Sequence, residues 1–372
     1  MKKNTTIIAA VAVVAIIVVA AAAVVLVNNG GDNGDKPFTP VTLTDAVGRE
    51  VTIDSVPTRA LVTSTMEVES MIYMGLGDLI AGVNGDKIIY TEYSDTIIGV
   101  KSYGKGVINS MSALQKAVDS GKVAYLDPTW HQTAETLASK YQEGDIIIFG
   151  YSSYGYSGIG DQLDKLGLKY FVCPYATDMQ GVYDDIEILG KIFGVEKTAQ
   201  NLIDNCKSII SDVGKLVKSL KAPSFAVTSG SYGYGSGYIL GSIAEELGGI
   251  NALGITEKYK QISAEDVVQG NPQVVFETSA GGMGGSPLID PSSPVFKDLD
   301  FVKNNKLFSV GNNTGAKYGT AYRALTTTSP HLVETYLMFV VALYGDQLGI
   351  EVPNNVFTDD YQKYLQMVVD KI

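Results

Sequence analysis

The chain has 372 residues, with 40 acidic against 28 basic side chains, and a net charge of −12. It is 45% hydrophobic and only 18% charged, a balance that excludes a disordered chain. No basic run offers a nucleic-acid footprint. Two cysteines, Cys173 and Cys206, make no disulfide framework; they are either a pair or two buried thiols.

Ile7 to Val27 is an unbroken run of 21 apolar residues, behind Lys2 and Lys3 and ahead of Asn28. As a helix it spans roughly 32 Å, enough for a bilayer core. It reads as an uncleaved membrane anchor over residues 1–27, with a long cleaved signal as the alternative. The lysines keep the N-terminus inside, so the remainder faces outward. That location argues against cytosolic nucleotide chemistry. The stretch Gly99 to Lys105 has the spacing of a phosphate loop, but Gly106 stands where a magnesium-binding hydroxyl belongs.

Residues 28–40 form a Gly/Asn/Asp/Pro linker. Two short strands around Gly48 follow, then a strand at Ala60–Thr63 and a helix at Met66–Leu76. The alternation continues with a strand at Val123–Leu126, a helix at Thr133–Tyr141 and a strand at Asp145–Phe149. The last is a continuous apolar run, typical of a parallel strand buried on both faces. A helix at Ile159–Leu166 and a strand at Lys169–Cys173 close an α/β unit over residues 41–180.

The connecting region, residues 181–222, reads as a helix over 181–193 and a long one over Glu196–Leu220. The long helix carries a stripe at Leu202, Cys206, Ile209, Val213, Leu216 and Leu220. A second unit over residues 223–372 reads as strands at Phe225–Thr228, Val274–Glu277 and Leu307–Val310. Its helices are expected at Ile239–Leu247, Ser263–Val268, Pro294–Leu299, His331–Tyr344 and Asp359–Lys371.

Several stretches in this order resemble the solute-binding proteins of ABC importers, in the cluster serving iron–siderophore, haem and cobalamin uptake. TDAVGREVTI with VPTRALV resembles the opening hairpin and first strand, and EVESMIYMGLGDLIAGV the first helix and second strand. VYDDIEILGKIFGVEKTAQNLI resembles the entry to the spanning helix. GSIAEELGGINAL, ISAEDVVQGNPQVVFET and HLVETYLMFVVALY resemble elements of the second lobe. The resemblance implies two Rossmann-like α/β lobes joined by one long α-helix, with a ligand cleft between them. It implies a monomeric, non-enzymatic receptor, with no cofactor of its own, that takes a metal chelate carrying iron or cobalt to a permease and its ATPase. The stretch GVINSMSALQKAVDSGKVAYLDPTWHQ is longer than the family pattern.

Ligands of open α/β sheets sit beyond the carboxyl ends of the strands. Two loops there are nearly alike: YSSYGYSG at 151–158 and SGSYGYGSGY at 229–238. Each places Tyr on glycine-rich backbone, giving flat faces and hydroxyl tips. The candidate ligand contacts are therefore Tyr151, Tyr154, Tyr156, Tyr175, Tyr232, Tyr234 and Tyr318. They are joined by Trp130 and His131 in the loop DPTWHQ, and by Arg323, whose guanidinium suits an anionic chelate. His331 reads as a helix-terminus histidine. With two His far apart in sequence, a bare zinc or manganese site is weakly supported, while tyrosine oxygens leave a bare ferric-iron site open. By the resemblance, Glu69 on the first lobe and Glu245 or Glu246 on the second dock to the permease. A surface sensor or adhesin that keeps the binding fold without transport is the rival reading. The sequon at Asn312 lies in a candidate cleft loop.

Overall fold

The computed structural model describes residues 37–84, 95–127, 132–151, 154–155, 158–278, 288–309, 328–352 and 360–372. The apolar run from Ile7 to Val27 and the linker to residue 36 lie outside them. Among the described residues no helix is long and apolar enough to cross a membrane.

The chain opens with an antiparallel hairpin, β1 (Val41–Thr44) and β2 (Glu50–Ile53), turned at Gly48 with φ +83°. Then come β3 (Arg59–Val62), α1 (Thr65–Tyr73), β4 (Ile80–Asn84), α2 (Met111–Asp119), β5 (Ala124–Leu126), α3 (Ala134–Lys140), β6 (Asp145–Gly150), α4 (Gly160–Lys165) and β7 (Tyr170–Cys173). β3 to β7 form a five-stranded sheet in the order β5-β4-β3-β6-β7, every pair parallel.

Strand β6 shows why the apolar run is continuous. Ile146 and Ile148 join the core on one face of the sheet, and Ile147 and Phe149 join a separate core on the other. A strand covered on both faces needs apolar side chains at both parities.

Two helices follow, α5 (Met179–Phe193) and α6 (Glu196–Val217). Gly194, left-handed at φ +64°, closes the first before the second begins, so the connection is a pair of helices of which α6 is the long one. α6 ends at Val217, three residues before Leu220. Its buried stripe closes on Val217, with Leu216 only partly covered. The α-helical period of 3.6, not 3.5, sets which residue faces inward at the far end.

The second half holds β8 (Ser224–Ser229), β9 (Tyr232–Tyr234), α7 (Ile239–Glu246), β10 (Ile250–Asn251), β11 (Tyr259–Gln261), α8 (Ala264–Gly270), β12 (Val274–Glu277), α9 (Asp300–Lys303), β13 (Leu307–Ser309), α10 (Leu332–Leu348) and α11 (Gln362–Val369). Its sheet runs β11-β9-β8-β12-β13, with β10 also on β8. β8, β12 and β13 are parallel, and β9 and β11 add an antiparallel edge.

Two helical regions depart from expectation, beside the short strands β9, β10 and β11. Residues 294–299 form successive turns in place of a helix; Lys297 and Leu299 close them on Ser293 and Phe296, and the helix begins only at Asp300. Helix α2 was not expected, although Ser110 caps it, its Oγ accepting from Ala113 N at 3.1 Å.

One apolar cluster runs from Val62, Ile148 and Phe171 of the first sheet to Phe225, Val227 and Phe276 of the second. It passes through α1, α5, α6 and α10. The two halves therefore share a core, and Phe339 of α10 stacks on Phe276 with ring centroids 4.1 Å apart.

Candidate functional site

The carboxyl ends of the first sheet are built closely. β3 ends at Val62; Thr63 N then donates to Ile148 O at 2.9 Å, and Ser64 opens α1. β6 ends at Gly150, where a Cβ would lie 2.8 Å from Ser64 Cβ and 3.3 Å from Glu67 Oε1. Glycine there lets β6 and the entry to α1 touch. Tyr151 follows directly and is 47% exposed. On the neighbouring strand β7, Cys173 pairs in register with Gly150. Tyr175, two residues on, is 50% exposed. Tyr151 and Tyr175 thus follow the ends of neighbouring strands, and both are open.

Tyr154 does not join them. Its ring packs edge-on against Phe149 at 5.6 Å and stacks on Tyr170 at 6.1 Å, in the outer core of the first half. The expected ligand contact is a packing residue, because its ring is taken up by Phe149 and Tyr170.

In the second half, the matching tyrosines lie on a strand. β8 turns at Gly230, with φ +53°, and β9 returns antiparallel, Tyr234 opposite Val227 and Tyr232 opposite Ser229. Two residues apart, Tyr232 and Tyr234 share a face. Gly233 turns to the opposite one, where a Cβ would press on Ile255 and Leu253. Tyr234 sits 4.5 Å from the Tyr238 ring, and both Tyr232 and Tyr234 meet Tyr259. Burial raises the phenol pKa of Tyr234, against a hydrogen bond with Ser229 that lowers it. Both tyrosines remain half-buried on β9, paired with the end of β8. Beside them, Glu277 closes β12, buried, its Oε2 accepting from Thr228 Oγ1 at 2.9 Å. Sequence reasoning missed Glu277, which looked like the last residue of an apolar strand.

A segment of the second half reaches the first helix of the first half. The connection after β13 returns at Thr328, whose hydroxyl donates to Met66 Sδ at 2.7 Å, one turn from the end of β3. Ser329 and His331 then engage Glu69. Trp130, His131, Tyr156, Tyr318 and Arg323 lie outside the described residues, as does Asn312.

The expected docking acid Glu69 is overturned by its burial: it is 0% exposed, closed in by Ser329 and His331, and offers nothing to a partner. Glu245 is half-buried. Glu246 is exposed, but accepts hydrogen bonds from Ser242 Oγ and Tyr336 OH. His331, read as a plain helix-terminus histidine, caps α10 within this buried cluster.

Beneath the first rim lies a buried acid pair. Glu67 of α1 and Asp185 of α5 are 2% and 4% exposed, and Glu67 Oε2 and Asp185 Oδ1 have no hydrogen-bond partner. Burial, and then the proximity of Glu67, push Asp185 up to about 9. Burial also raises Glu67. Cys173 and Cys206 are both free and buried, and burial pushes both thiols up, which makes them inert. Among the described residues no three His, Cys, Asp or Glu side chains converge as a metal site.

Residues 145–314 match the model of the family described as periplasmic binding protein. They begin at β6 and take in the start of the connection after β13. That stretch, under half of the chain, is similar to the periplasmic binding proteins. A curated relative, an uncharacterised ABC transporter substrate-binding lipoprotein of Bacillus subtilis, is 22% identical over 82% of this chain and 86% of its own. A periplasmic binding protein from Veillonella parvula shares the fold with a TM-score of 0.61, at 20% identity over 84% of this chain and 94% of its own. The siderophore-binding protein BauB, solved with two molecules of acinetobactin and ferric iron, matches with a TM-score of 0.57. It is 17% identical over 80% of this chain and 97% of its own. At such identities the structures speak for the fold alone: a mixed α/β periplasmic-binding-protein fold with parallel sheets.

Proposed function

We propose that this chain is an extracytoplasmic, monomeric solute-binding protein. It captures a metal chelate, of the ferric siderophore, haem or corrinoid class, in a cleft between its two halves, and hands it to an ABC importer. The observation that carries the reading is the pair of tyrosine rims at the carboxyl ends of the two sheets. Tyr151 and Tyr175 stand on the first, Tyr232 and Tyr234 on the second. Flat amphipathic rings on rigid backbone suit a large, lightly charged, aromatic or chelated ligand.

The family match and the lipoprotein relative favour transport, and the neighbour that holds a ferric siderophore favours that chelate class. Trp130, His131, Tyr156, Tyr318 and Arg323 complete the proposed contacts. Glu245 and Glu246 are the remaining candidates for docking to the permease, and Ile7–Val27 for the anchor.

The test is a panel of ferric hydroxamate and catecholate chelates, haem and cobalamin against the full chain, read by melting temperature and by fluorescence of Trp130, the only tryptophan. A ligand at 100 times its dissociation constant adds about 2.7 kcal/mol of stability. A shift with one class fixes the ligand; no shift across the whole panel overturns the chelate reading.

A further inference from the structure

His331, at the head of α10, is clamped between the carboxylates of Glu69 on α1 and Glu334 on its own helix, all three essentially solvent-free. We propose that this cluster is an ionic latch that fixes the two halves against each other, and that it opens when His331 loses its proton.

The bonds run across the molecule. Glu69 takes His331 Nδ1 on one carboxylate oxygen and the Ser329 hydroxyl on the other. Ser329 Oγ in turn accepts His331 N at 3.2 Å. On the far side, His331 Nε2 lies 3.9 Å from Glu334 Oε2. Glu334 Oε1 accepts Ile98 N, from the first half, at 2.7 Å, and Tyr361 of α11 donates to Oε2. Gln362 ties the same helix to Thr96 O at 2.7 Å. Tyr73 of α1 accepts Ile97 N at 2.8 Å and feels both carboxylates. The latch therefore joins α1 and the 96–98 segment of the first half to α10 and α11, directly after the last strand-end connection of the second half.

The charge count sets the direction of the switch. The groups facing His331 are Glu69 from α1 and Glu334 from α10. Behind them stand Tyr361 of α11 and Tyr73 of α1, with Cys206 of α6 beside Tyr73. Burial opposes the imidazolium, but the two carboxylates outweigh it and raise His331 above the ordinary 6.5. Burial likewise raises Glu334. A histidine raised by its partners stabilises below its ordinary pKa, and that stability is lost as pH rises through the folded value. A raised carboxyl loses its contribution in the same direction. Above that range two buried carboxylates face each other without a cation, which is costly. The latch thus holds near neutral pH and loosens on the alkaline side.

The test places spin labels at L166C, beside α4, and V268C, on α8, both exposed positions. The native cysteines are buried and do not compete. Inter-label distances in the full chain are measured at about pH 6 and about pH 9.5, either side of an imidazole titration. The expected result is one narrow distance at the lower pH and a shift to longer, broader distances at the higher. Glu69→Gln and His331→Asn should give the broad distribution at both. A distance unchanged across the pH range in the parent overturns the proposal, and that measurement stands even if neither variant folds. Folded variants as narrow as the parent overturn it as well.

Discussion

Arg59 and Asp145 begin neighbouring parallel strands and meet side by side, Arg59 Nε donating to Oδ1 at 2.9 Å and Nη2 to Oδ2 at 2.6 Å. The fork matches the carboxylate, so this is a bidentate pair. Asp145 is buried and also accepts Gln142 N, while a third of the Arg59 side chain is exposed. It therefore pins the register of β3 against β6, which leads to Gly150 and Tyr151. Asp145→Ala should cost about 2 kcal/mol, more than a surface pair would, because two donors lose a buried acceptor. Denaturant unfolding measures it. A loss under about 0.5 kcal/mol would place this pair with ordinary surface bridges.

The buried pair Glu67 and Asp185 predicts a gain of stability. A carboxyl raised from 3.8 to about 9 holds its proton more tightly in the folded chain. Its contribution is complete below the unfolded pKa and is lost as pH rises toward the folded value, here between about pH 4 and pH 9. Asp185→Asn keeps the shape and removes the charge. It should stabilise the chain by roughly 1–3 kcal/mol at pH 8, discounted from the full shift for relaxation, with little effect at pH 4. Melting curves at both pH values decide. An equal effect at the two would show that charge is not the cause.

Much of the architecture was legible from local pattern. The run Asp145–Phe149 announced a doubly covered strand, and the connecting region announced two helices broken after residue 193, because both depend on residues near in sequence. The three-residue strands β9 and β11 were not legible: Tyr-Gly-Tyr reads as a loop until the neighbouring strand supplies its hydrogen bonds. Likewise, nothing near Glu69 reveals that it is buried. Its partners Ser329 and His331 lie 260 and 262 residues away. Tyr151 and Tyr154 share one glycine-rich stretch, yet one faces solvent and the other the core. Which way a loop tyrosine turns is settled by Phe149 and Tyr170, not by the motif.

Gly150 carries a steric prediction. Its φ is not in the left-handed region, so alanine meets no backbone strain; the obstacle is Ser64, 2.8 Å from the new methyl. Gly150→Ala should force β6 and the start of α1 apart, at a cost of about 1–3 kcal/mol. Because Tyr151 is the next residue, chelate binding should weaken as well. A melting temperature equal to the parent's would show that Ser64 can move aside freely.

The tyrosines separate packing from recognition. Tyr151 and Tyr175 are half-exposed, so truncation to alanine should change stability by no more than about 0.5 kcal/mol. If they line the cleft, each should still weaken chelate binding by about 10-fold, the effect of about 1.4 kcal/mol of lost ring contact. Tyr154→Ala should do the reverse. Its ring fills the outer core between Phe149 and Tyr170, so its loss should cost about 2 kcal/mol of stability, below the range for a fully buried aromatic because it is only partly covered. Affinity for the chelate, measured well below the melting temperature, should stay within about threefold of the parent, the scatter of a change that touches no ligand. If Tyr154→Ala abolishes binding in a folded chain while Tyr151→Ala and Tyr175→Ala do not, the ligand enters from the outer face of the first sheet and the proposed cleft is in the wrong place.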